Sequence, residues 1–222
     1  MQYIKNIDST STELRRRMSA EELPHGYCIS ADFQTAGHGQ ATNHWESEDG
    51  KNLLFSLLLR PSVIPASEQF VITEIVTLAI INALQDYIRQ RITIKWPNDI
   101  LVDGNKISGC LIEYSGRYVI VGIGINVMSN PTVDKYKTTK MDNYSDVPLE
   151  ILLKRLMRNL DKWMSADFRY VRERWLDLAA CLNCPVKYQG QMATLVGINE
   201  NGALVLRRDS RYILVYGDEI SV

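Results

Sequence analysis

The change of apolar periodicity between residues 53 and 125 constrains the fold of this chain more than any other feature. Leu53 to Leu59 is an apolar run of strand length, whereas apolar residues from Val71 to Ile88 recur at steps of three and four. The second pattern predicts a helix from about Ser67 to Arg91. One long helix among strands that form a meander predicts an α+β fold, with a mixed or antiparallel sheet covered by helices. The other strand-like segments are Tyr27 to Phe33, Ile92 to Lys95, Ile100 to Tyr114 around a tight Asp103-Gly104 turn, and Tyr118 to Ile125.

A second change of pattern near residue 183 predicts a smaller second domain. Leu149 to Met164 and Phe168 to Leu182 are amphipathic and predict two helices. After Pro185 the chain consists of short alternating segments, separated by turns at Gln189-Gly190 and Asn201-Gly202, which is typical of a small β-barrel. We therefore predict one domain over residues 1–182 and a small β-barrel over residues 183–222.

Composition excludes several classes of function. Lys and Arg together number 25, and Asp and Glu number 26, so the bulk charge indicates neither nucleic-acid nor membrane binding. No apolar run approaches the roughly 20 residues of a membrane-spanning helix, and the first ten residues lack the apolar core of a signal peptide. These observations predict a cytoplasmic protein without a nucleic-acid or membrane partner.

The four cysteines form no secretory disulfide framework, which fits a reducing compartment. Cys181 and Cys184 make a C-x-x-C pair, a spacing typical of half a zinc site or of a redox pair. No second pair accompanies it, and His25, His38 and His44 are the only histidines. We favour the interpretation that these are ordinary thiols at the boundary between two elements.

A polar loop rich in glycine follows the strand predicted at Tyr27 to Phe33. Gln34 to Gly50 lacks apolar periodicity, and a loop of this length is usually functional or mobile. Gly37 and Gly39 allow the backbone to turn sharply and to approach a ligand closely, and backbone N–H groups in such a loop can hold an anion. An ordinary glycine-containing loop is the alternative interpretation.

Two further polar motifs adjoin predicted strands. Asn98 and Asp99 end the segment Lys-Trp-Pro-Asn-Asp and place an amide and a carboxylate just outside the sheet, although a turn with an Asx cap explains them equally well. Lys106 follows the Asp103-Gly104 turn, and its apolar neighbours draw it towards the sheet. An ammonium held there is a strong point charge for a phosphate or a carboxylate. Gly122 to Asn126 ends the next strand with a buried run and an amide.

These motifs together resemble those of the biotin protein ligase family. K-W-P-N-D at Lys95 to Asp99, K-x-x-G-x-L at Lys106 to Leu111 and G-x-G-I-N at Gly122 to Asn126 appear in the family's order and close to its spacing. Asp8-Ser9-Thr10, where Ser9 or Thr10 also suits a helix cap, and the glycine loop lie upstream as in the family. The resemblance extends from about Ile4 to Val222. It implies a class II synthetase-like catalytic domain followed by a small SH3-like barrel.

The resemblance also implies an activity and a set of site residues. Such an enzyme uses ATP with Mg²⁺ to form biotinyl-5'-AMP and pyrophosphate, and then transfers biotin to a lysine of a biotin carboxyl carrier domain. Lys106 matches the family's essential lysine, and Asp99 would orient the acceptor amine or take its proton; no metal ligand is assigned. The implied biotin-binding residues are Ser9, Thr10, Ser11, Gln34, Gly37, His38, Gly39, Gln40, Lys106 and Gly109. The implied ATP-binding residues are Trp45, which can stack on adenine, Asn98, Lys106 and Asn126.

The glycine loop departs from the family's pattern. The family usually has G-R-G-R-x-G there, whereas this chain has Gly37-His38-Gly39-Gln40-Ala41-Thr42, which lacks both arginines and the third glycine. His38 supplies a charge that depends on pH, and Gln40 supplies none. We therefore expect a weaker hold on the adenylate than in the rest of the family.

Two alternative functions remain open from the sequence alone. A lipoate ligase or octanoyl transferase shares the catalytic fold, and the lysine alone would suit either. A homologue that binds biotin or a nucleotide without turnover belongs to another class. Because Asp8-Ser9-Thr10 lies so near the start, we expect no N-terminal helix-turn-helix and hence a ligase without repressor function. We also expect an exposed sheet edge to pair with the acceptor or with a second copy as a homodimer.

Overall fold

A seven-stranded mixed sheet forms the centre of the structure, a computed structural model that describes residues 1–40, 43–61, 64, 69–131 and 137–216. Its strands are β1 (Gln2–Ile7), β2 (Cys28–Gln34), β3 (Leu53–Leu59), β4 (Ile92–Lys95), β5 (Asp99–Val102), β6 (Asn105–Ser115) and β7 (Tyr118–Ile125). They lie in the order β1-β2-β3-β7-β6-β5-β4. β1 pairs with β2 in parallel and the other neighbours are antiparallel, so the predicted mixed sheet is confirmed.

Helices cover both faces of this sheet. α1 (Thr10–Ala20) packs on β3 and β7, where Leu14 contacts Ile120, and Ser9 caps the helix by accepting a hydrogen bond from the third residue after it. α2 (Phe70–Leu84) packs on the opposite face, and α3 (Leu149–Met164) and α4 (Phe168–Leu178) cover α2 from outside. Because α2 is enclosed on all sides, its sequence is apolar around most of its circumference. No helix in the described ranges is long and apolar enough to cross a membrane.

Three elements differ from their predictions for local reasons. α2 ends at Leu84 rather than near Arg91, because the chain turns there while Ile88 remains in the core; the predicted start at Ser67 lies outside the described residues. α4 ends at Leu178 rather than Leu182, because the next residues pair with β4 through the Ala180 N–H and the Ile94 carbonyl. β1 was not predicted, since its mostly exposed, polar sequence has no apolar run.

A second, four-stranded antiparallel sheet follows the helices. Its strands are β8 (Pro185–Tyr188), β9 (Gln191–Ile198), β10 (Leu204–Arg208) and β11 (Arg211–Val215), in the order β11-β10-β9-β8. One face forms a small core of Val186, Ala193, Leu195, Leu204, Leu206 and Val215. The short alternating strands are therefore confirmed, whereas the SH3-like barrel and the boundary after residue 182 stay predictions.

Cys181 and Cys184 lie in the tight segment that joins α4 to the small sheet. The Cys184 N–H donates to the Cys181 carbonyl over 3.0 Å, and Cys181 has a φ of 66°. Burial and the neighbouring Cys184 thiol raise the pKa of Cys181, which makes a reactive thiolate less available. In the part of the chain that the structure describes, no three His, Cys, Asp or Glu side chains come together to hold a metal ion. The geometry favours ordinary thiols at an element boundary.

Glu74 on α2 is a carboxylate enclosed by the main core. Its side chain is fully buried and forms an ion pair with Arg172 of α4. Burial raises the pKa of the Glu74 carboxyl from 4.5 to about 7, because the loss of hydration outweighs the attraction of the Arg172 guanidinium. Between these two values the folded protein binds a proton that the unfolded chain releases, so the free energy of unfolding falls as pH rises through this window.

The substitution Glu74→Gln should therefore flatten the pH dependence of stability. The wild-type protein should lose up to about 3 kcal/mol from this group between roughly pH 4.5 and pH 7.5, since each unit of pKa shift corresponds to about 1.4 kcal/mol. Urea unfolding of both proteins at a series of pH values measures the difference. Equal slopes in this window would show that the buried carboxyl does not titrate as described.

Candidate functional site

A cluster of buried hydroxyls lies where α1 begins beneath β2 and β3. The Ser56 hydroxyl, which is completely buried, lies 2.7 Å from the Thr10 hydroxyl and 2.8 Å from the Ser11 hydroxyl. The Thr10 N–H and hydroxyl both donate to the Gln34 side-chain carbonyl, over 2.8 and 3.0 Å. Ser9, the cap of α1, is buried beside them. We call Thr10, Ser11, Gln34 and Ser56 the hydroxyl cluster.

A β-bulge brings Lys106 to the same face of the sheet as Asp99. Asp99 is paired with Gly109 and Leu101 with Lys106, so three residue steps of β6 match two of β5. The extra residue reverses the alternation of side chains, and Lys106 therefore shares the face of Gly109. The Lys106 ammonium lies 2.6 Å from the Asp99 carboxylate, and only 16% of the Lys106 side chain is exposed. The lysine is thus not a solvated surface charge.

Three glycines line the face of β6 and β7 between the hydroxyl cluster and Lys106. Gly109 of β6 is paired with Gly124 of β7, and Gly122 lies two residues away on the same face. A Cβ on Gly122 would lie 2.9 Å from the Ser11 hydroxyl, and one on Gly109 would lie 3.1 Å from the Asp99 carboxylate. Glycine is needed where polar groups approach the backbone this closely. We call Gly109, Gly122 and Gly124 the glycine floor.

The Trp45 indole rests on this floor. A methyl group on Gly124 would overlap the indole ring, and the Lys106 ammonium lies 5.7 Å from a ring centroid, within the range of cation–π attraction. The indole Nε1 is buried and has no hydrogen-bond partner among the described residues. The side chain is nevertheless only partly buried, so a planar group could stack on it.

Main-chain hydrogen bonds close the glycine loop. The Trp45 N–H donates to the Gly37 carbonyl over 3.0 Å, and the Gly39 N–H donates to the Asn43 carbonyl over 2.8 Å. A Cβ on Gly37 would lie 2.7 Å from the Trp45 carbonyl, so a larger residue would push the two segments apart. The loop is therefore held closed by its backbone and contacts the glycine floor through Trp45.

The residues that replace the family's arginines lie at the edge of this loop. His38 is partly exposed, and its Nδ1 lies 3.0 Å from the Ala36 carbonyl. Gln40 is exposed, and residues 41 and 42 lie outside the described ranges. The hydrogen bonds that close the loop use neither side chain, so they do not require an arginine.

Residues 137–139 fix the backbone of Lys106 from the outer side. The Lys106 N–H donates to the Lys137 carbonyl over 2.9 Å, and the Thr139 N–H donates to the Lys106 carbonyl over 2.8 Å. The Asn126 amide donates to the Thr139 carbonyl over 3.1 Å, while its buried Oδ1 has no hydrogen-bond partner in the part of the chain that the structure describes. Asn126 thus lies close to Lys106 and retains an unsatisfied acceptor.

Asn98 and Cys110 hold β5 against β6 beside Asp99. The buried Asn98 amide donates to the Cys110 carbonyl, and the Cys110 N–H donates to the Asn98 carbonyl over 3.3 Å. Burial raises the pKa of the Cys110 thiol far above its ordinary value, which excludes it as a thiolate nucleophile near neutral pH. The main effect of Asn98 in the structure is therefore to hold the backbone next to Asp99 in place.

The structure brings the predicted segments to one face of the sheet and adds Ser56 to them. Ser56 is the polar residue within the apolar run Leu53–Leu59, and this signal could have found it. Gly124 was noted only as part of a strand end, because the ring that lies on it is distant in sequence. The orientation of Lys106 follows from the bulge, which the sequence does not reveal.

The substitution Gly124→Ala should displace Trp45 from the glycine floor. Its methyl group would overlap the indole, so the ring must move towards solvent, with a loss of stability on the order of 1–3 kcal/mol. Acrylamide quenching of tryptophan fluorescence should increase, and the increase should vanish in a Trp45→Phe background. Gly197→Ala is the matched control, since a Cβ there meets nothing within 4 Å. Unchanged quenching in Gly124→Ala would contradict the contact.

Comparisons with known proteins agree with this architecture. Residues 3–130 match the model of the biotin/lipoate A/B protein ligase family. A biotin–acetyl-CoA-carboxylase ligase of Paracoccus denitrificans is 30% identical, with 92% of each chain covered, and a bifunctional ligase/repressor of Bacillus subtilis is 28% identical, with 98% of this chain and 72% of that protein covered. A biotin protein ligase from Aquifex aeolicus, solved in complex with biotin and ATP, has a TM-score of 0.78 at 27% identity, with 99% of this chain and 96% of that chain covered. The chain therefore belongs to the biotin/lipoate A/B protein ligase family.

Proposed function

We propose that this protein is an ATP-dependent biotin–protein ligase. It joins biotin to AMP with release of pyrophosphate, and then transfers the biotinyl group to a lysine of a carrier protein. The single observation that carries the proposal is the position of Lys106, held over the glycine floor beside Asp99 and Trp45, on the face that also carries the hydroxyl cluster. The function named for the relatives from Paracoccus denitrificans and Aquifex aeolicus supports it.

The first step requires two anions to meet. The biotin carboxylate attacks the α-phosphorus of ATP, a new C(O)–O–P bond forms, and the bond to pyrophosphate breaks. Electrostatic stabilisation of the accumulating negative charge is the main demand on the protein. In the proposed mechanism the Lys106 ammonium supplies this stabilisation, because it is partly desolvated and fixed in place by Asp99 and the bulge. His38 is a lesser candidate, since it is partly exposed at the loop edge.

The hydroxyl cluster suits the ureido ring of biotin. That ring carries two N–H donors and one carbonyl acceptor, and hydroxyl groups can act in either role. Thr10, Ser11 and Gln34, with Ser9 beside them, would bind the ring, and Ser56 would hold the hydroxyls in orientation. The backbone of Gly37 to Gln40 and the backbone at Gly109 would then border the remainder of the biotin molecule.

The nucleotide would lie on the side of Trp45. The partly exposed indole offers a face for stacking on adenine, an interaction worth about 1–3 kcal/mol for a base on an aromatic ring. The unsatisfied Asn126 Oδ1 would accept a hydrogen bond from the nucleotide. Asn98 would act at the phosphate end mainly by holding Asp99.

The residues around Lys106 could hold a magnesium ion only together with the phosphates of ATP. No group of three potential ligands exists in the part of the chain that the structure describes, and Mg²⁺ normally binds through one or two carboxylates together with substrate phosphates. Asp99 is the carboxylate beside Lys106 that such an ion would share. Bound Mg²⁺ would neutralise phosphate charge in addition to Lys106.

In the second step the amine of the acceptor lysine attacks the mixed anhydride, and AMP leaves. The amine must be neutral to act as a nucleophile, and Asp99 would orient it or take its proton. The closed loop from Gly37 to Trp45 would shield the anhydride from water. We infer that the acceptor is the carrier domain of a biotin-dependent carboxylase, in keeping with the name of the relative from Paracoccus denitrificans.

Two rival functions are distinguished by substrate chemistry. A lipoate or octanoate ligase or transferase would place an apolar ring or chain against the hydroxyl cluster, which contains polar groups that such a substrate cannot satisfy. A protein that binds biotin or a nucleotide without turnover would need no cation at the junction of the two substrates. The buried polar cluster and the covered position of Lys106 therefore favour biotin and catalysis.

Pyrophosphate release measures the proposed first step directly. With ATP, Mg²⁺ and biotin, the wild-type protein should release pyrophosphate, and Lys106→Ala should be slower by roughly 10²–10³-fold, by analogy with the loss of a donor to a developing oxyanion. Lys154→Ala, which removes an exposed lysine of α3, is the control and should match wild type. Release with lipoate instead of biotin would establish the rival ligase, and release with neither acid would leave the binding protein.

A further inference from the structure

We propose that the turn Asn199–Ala203 of the small sheet is a positioning element for the Lys106–Asp99 pair, acting through Trp96. This inference rests on the proposed function and extends it to residues outside the glycine-rich face. It gives the small sheet a role in the adenylation step, in which it holds the turn before Asp99 in place.

Trp96 joins the small sheet to the main sheet. Its indole N–H donates to the Gly202 carbonyl over 2.9 Å, and its ring packs against both the main core and the small core. An indole whose N–H is turned away from water needs a partner for its single donor, and for the partly buried Trp96 this partner is a backbone carbonyl next to the small sheet. The orientation of Trp96 therefore depends on the docked position of the Asn199–Ala203 turn.

The turn itself is rigid and tightly seated. The Asn199 side chain accepts from the Ala203 N–H over 2.8 Å, and the Gly202 N–H donates to the Asn199 carbonyl over 3.0 Å. Gly202 has a φ of +82°, and a methyl group on it would overlap the Phe70 ring at the start of α2. Arg172 donates to the Asn199 carbonyl over 3.0 Å. The turn is thus held on α2 and α4 as well as on Trp96.

The connection from Trp96 to the site is short. The three residues 96–98 join β4 to β5, and Asp99 is the first residue of β5. The far end of this connection is fixed by Asn98, which binds Cys110 of β6. Its near end is fixed by the Trp96 bond to Gly202. Asp99, and with it the Lys106 ammonium 2.6 Å away, is therefore positioned from both ends of one three-residue segment.

If the Trp96 end of the segment 96–98 is released, the rate of adenylation should fall more than the affinity for biotin. Lys106 is proposed to act on charge that develops in the transition state, and a displacement on the order of 1 Å can reduce such a rate about 100-fold. Among the residues that the structure describes, no hydrogen bond joins the turn to the hydroxyl cluster or to Trp45, so the binding of biotin should change little. The expected signature is a lower kcat with nearly unchanged KM for biotin.

Gly202→Ala tests the proposal, and Gly190→Ala is its matched control. Both glycines lie in turns of the small sheet with φ values of +82° and +77°, so an alanine is strained equally at either position. Only at Gly202 does the added methyl meet Phe70; at Gly190 nothing lies within 4 Å. A second variant, Trp96→Phe, removes the indole N–H and keeps an aromatic ring. Circular dichroism and thermal melting identify variants that fail to fold.

Two measurements decide the outcome, namely pyrophosphate release and hydrogen exchange over residues 96–110. Gly202→Ala should lower kcat about 100-fold and Trp96→Phe about tenfold, with KM for biotin within about threefold of wild type. Both should accelerate exchange over residues 96–110 relative to Gly190→Ala. Equal exchange and equal kcat in Gly202→Ala and Gly190→Ala would overturn the proposal. If the wild-type protein releases no pyrophosphate, the proposed function fails, and the exchange comparison alone decides whether the turn positions Asp99.

Discussion

The ion pair between Lys106 and Asp99 sets the arrangement of the glycine-rich face. Each side chain comes from a different strand, and they meet because β6 contains one residue more than β5 between their paired positions. Without that bulge, side-chain alternation would direct the ammonium to the apolar face under α2. The glycine at position 109 leaves the space that the two charged groups occupy. A local irregularity of the sheet therefore places a cation where anions can be joined.

The groups around this pair give the glycine floor two regions of different chemistry. On one side the hydroxyl cluster is buried and polar, and on the other Trp45 offers an aromatic surface. Lys106 lies next to Trp45, at the Asp99 end of the floor. In the proposed reaction these regions bind the ureido ring and the adenine, and the new bond forms between them. Loop closure through Gly37 and Trp45 needs only backbone hydrogen bonds, so the loss of the family's arginines should affect retention of the adenylate more than loop closure.

Elements with a strong local signal could be predicted from the sequence. Leu53–Leu59, Tyr118–Ile125 and Leu149–Met164 have the predicted boundaries, because each is a continuous apolar or amphipathic run that ends at polar or turn residues. The Asp103-Gly104 turn also has the positive φ values that a tight hairpin requires. The mixed sheet and the family followed from these elements and from the motifs.

Features that depend on tertiary contacts could not be predicted in this way. β1 forms by pairing with β2, and its own residues carry no strand pattern. The contact of Trp45 with Gly124 and the bond of Trp96 to Gly202 join residues far apart in sequence. The face to which Lys106 belongs depends on a single extra residue in β6. The local sequence pattern carries no information on strand register or on contacts between residues that are distant in sequence.

Chemical restoration of the charge at position 106 tests the central claim most directly. Lys106→Cys would be alkylated either with 2-bromoethylamine, which rebuilds an ammonium of nearly the original length, or with iodoacetamide, which adds a neutral amide. Wild-type protein treated in the same way controls for reaction at Cys181 and Cys184. The account predicts that pyrophosphate release recovers at least about tenfold with the ammonium and not with the amide. Equal activity of the two alkylated proteins would contradict a role for the positive charge.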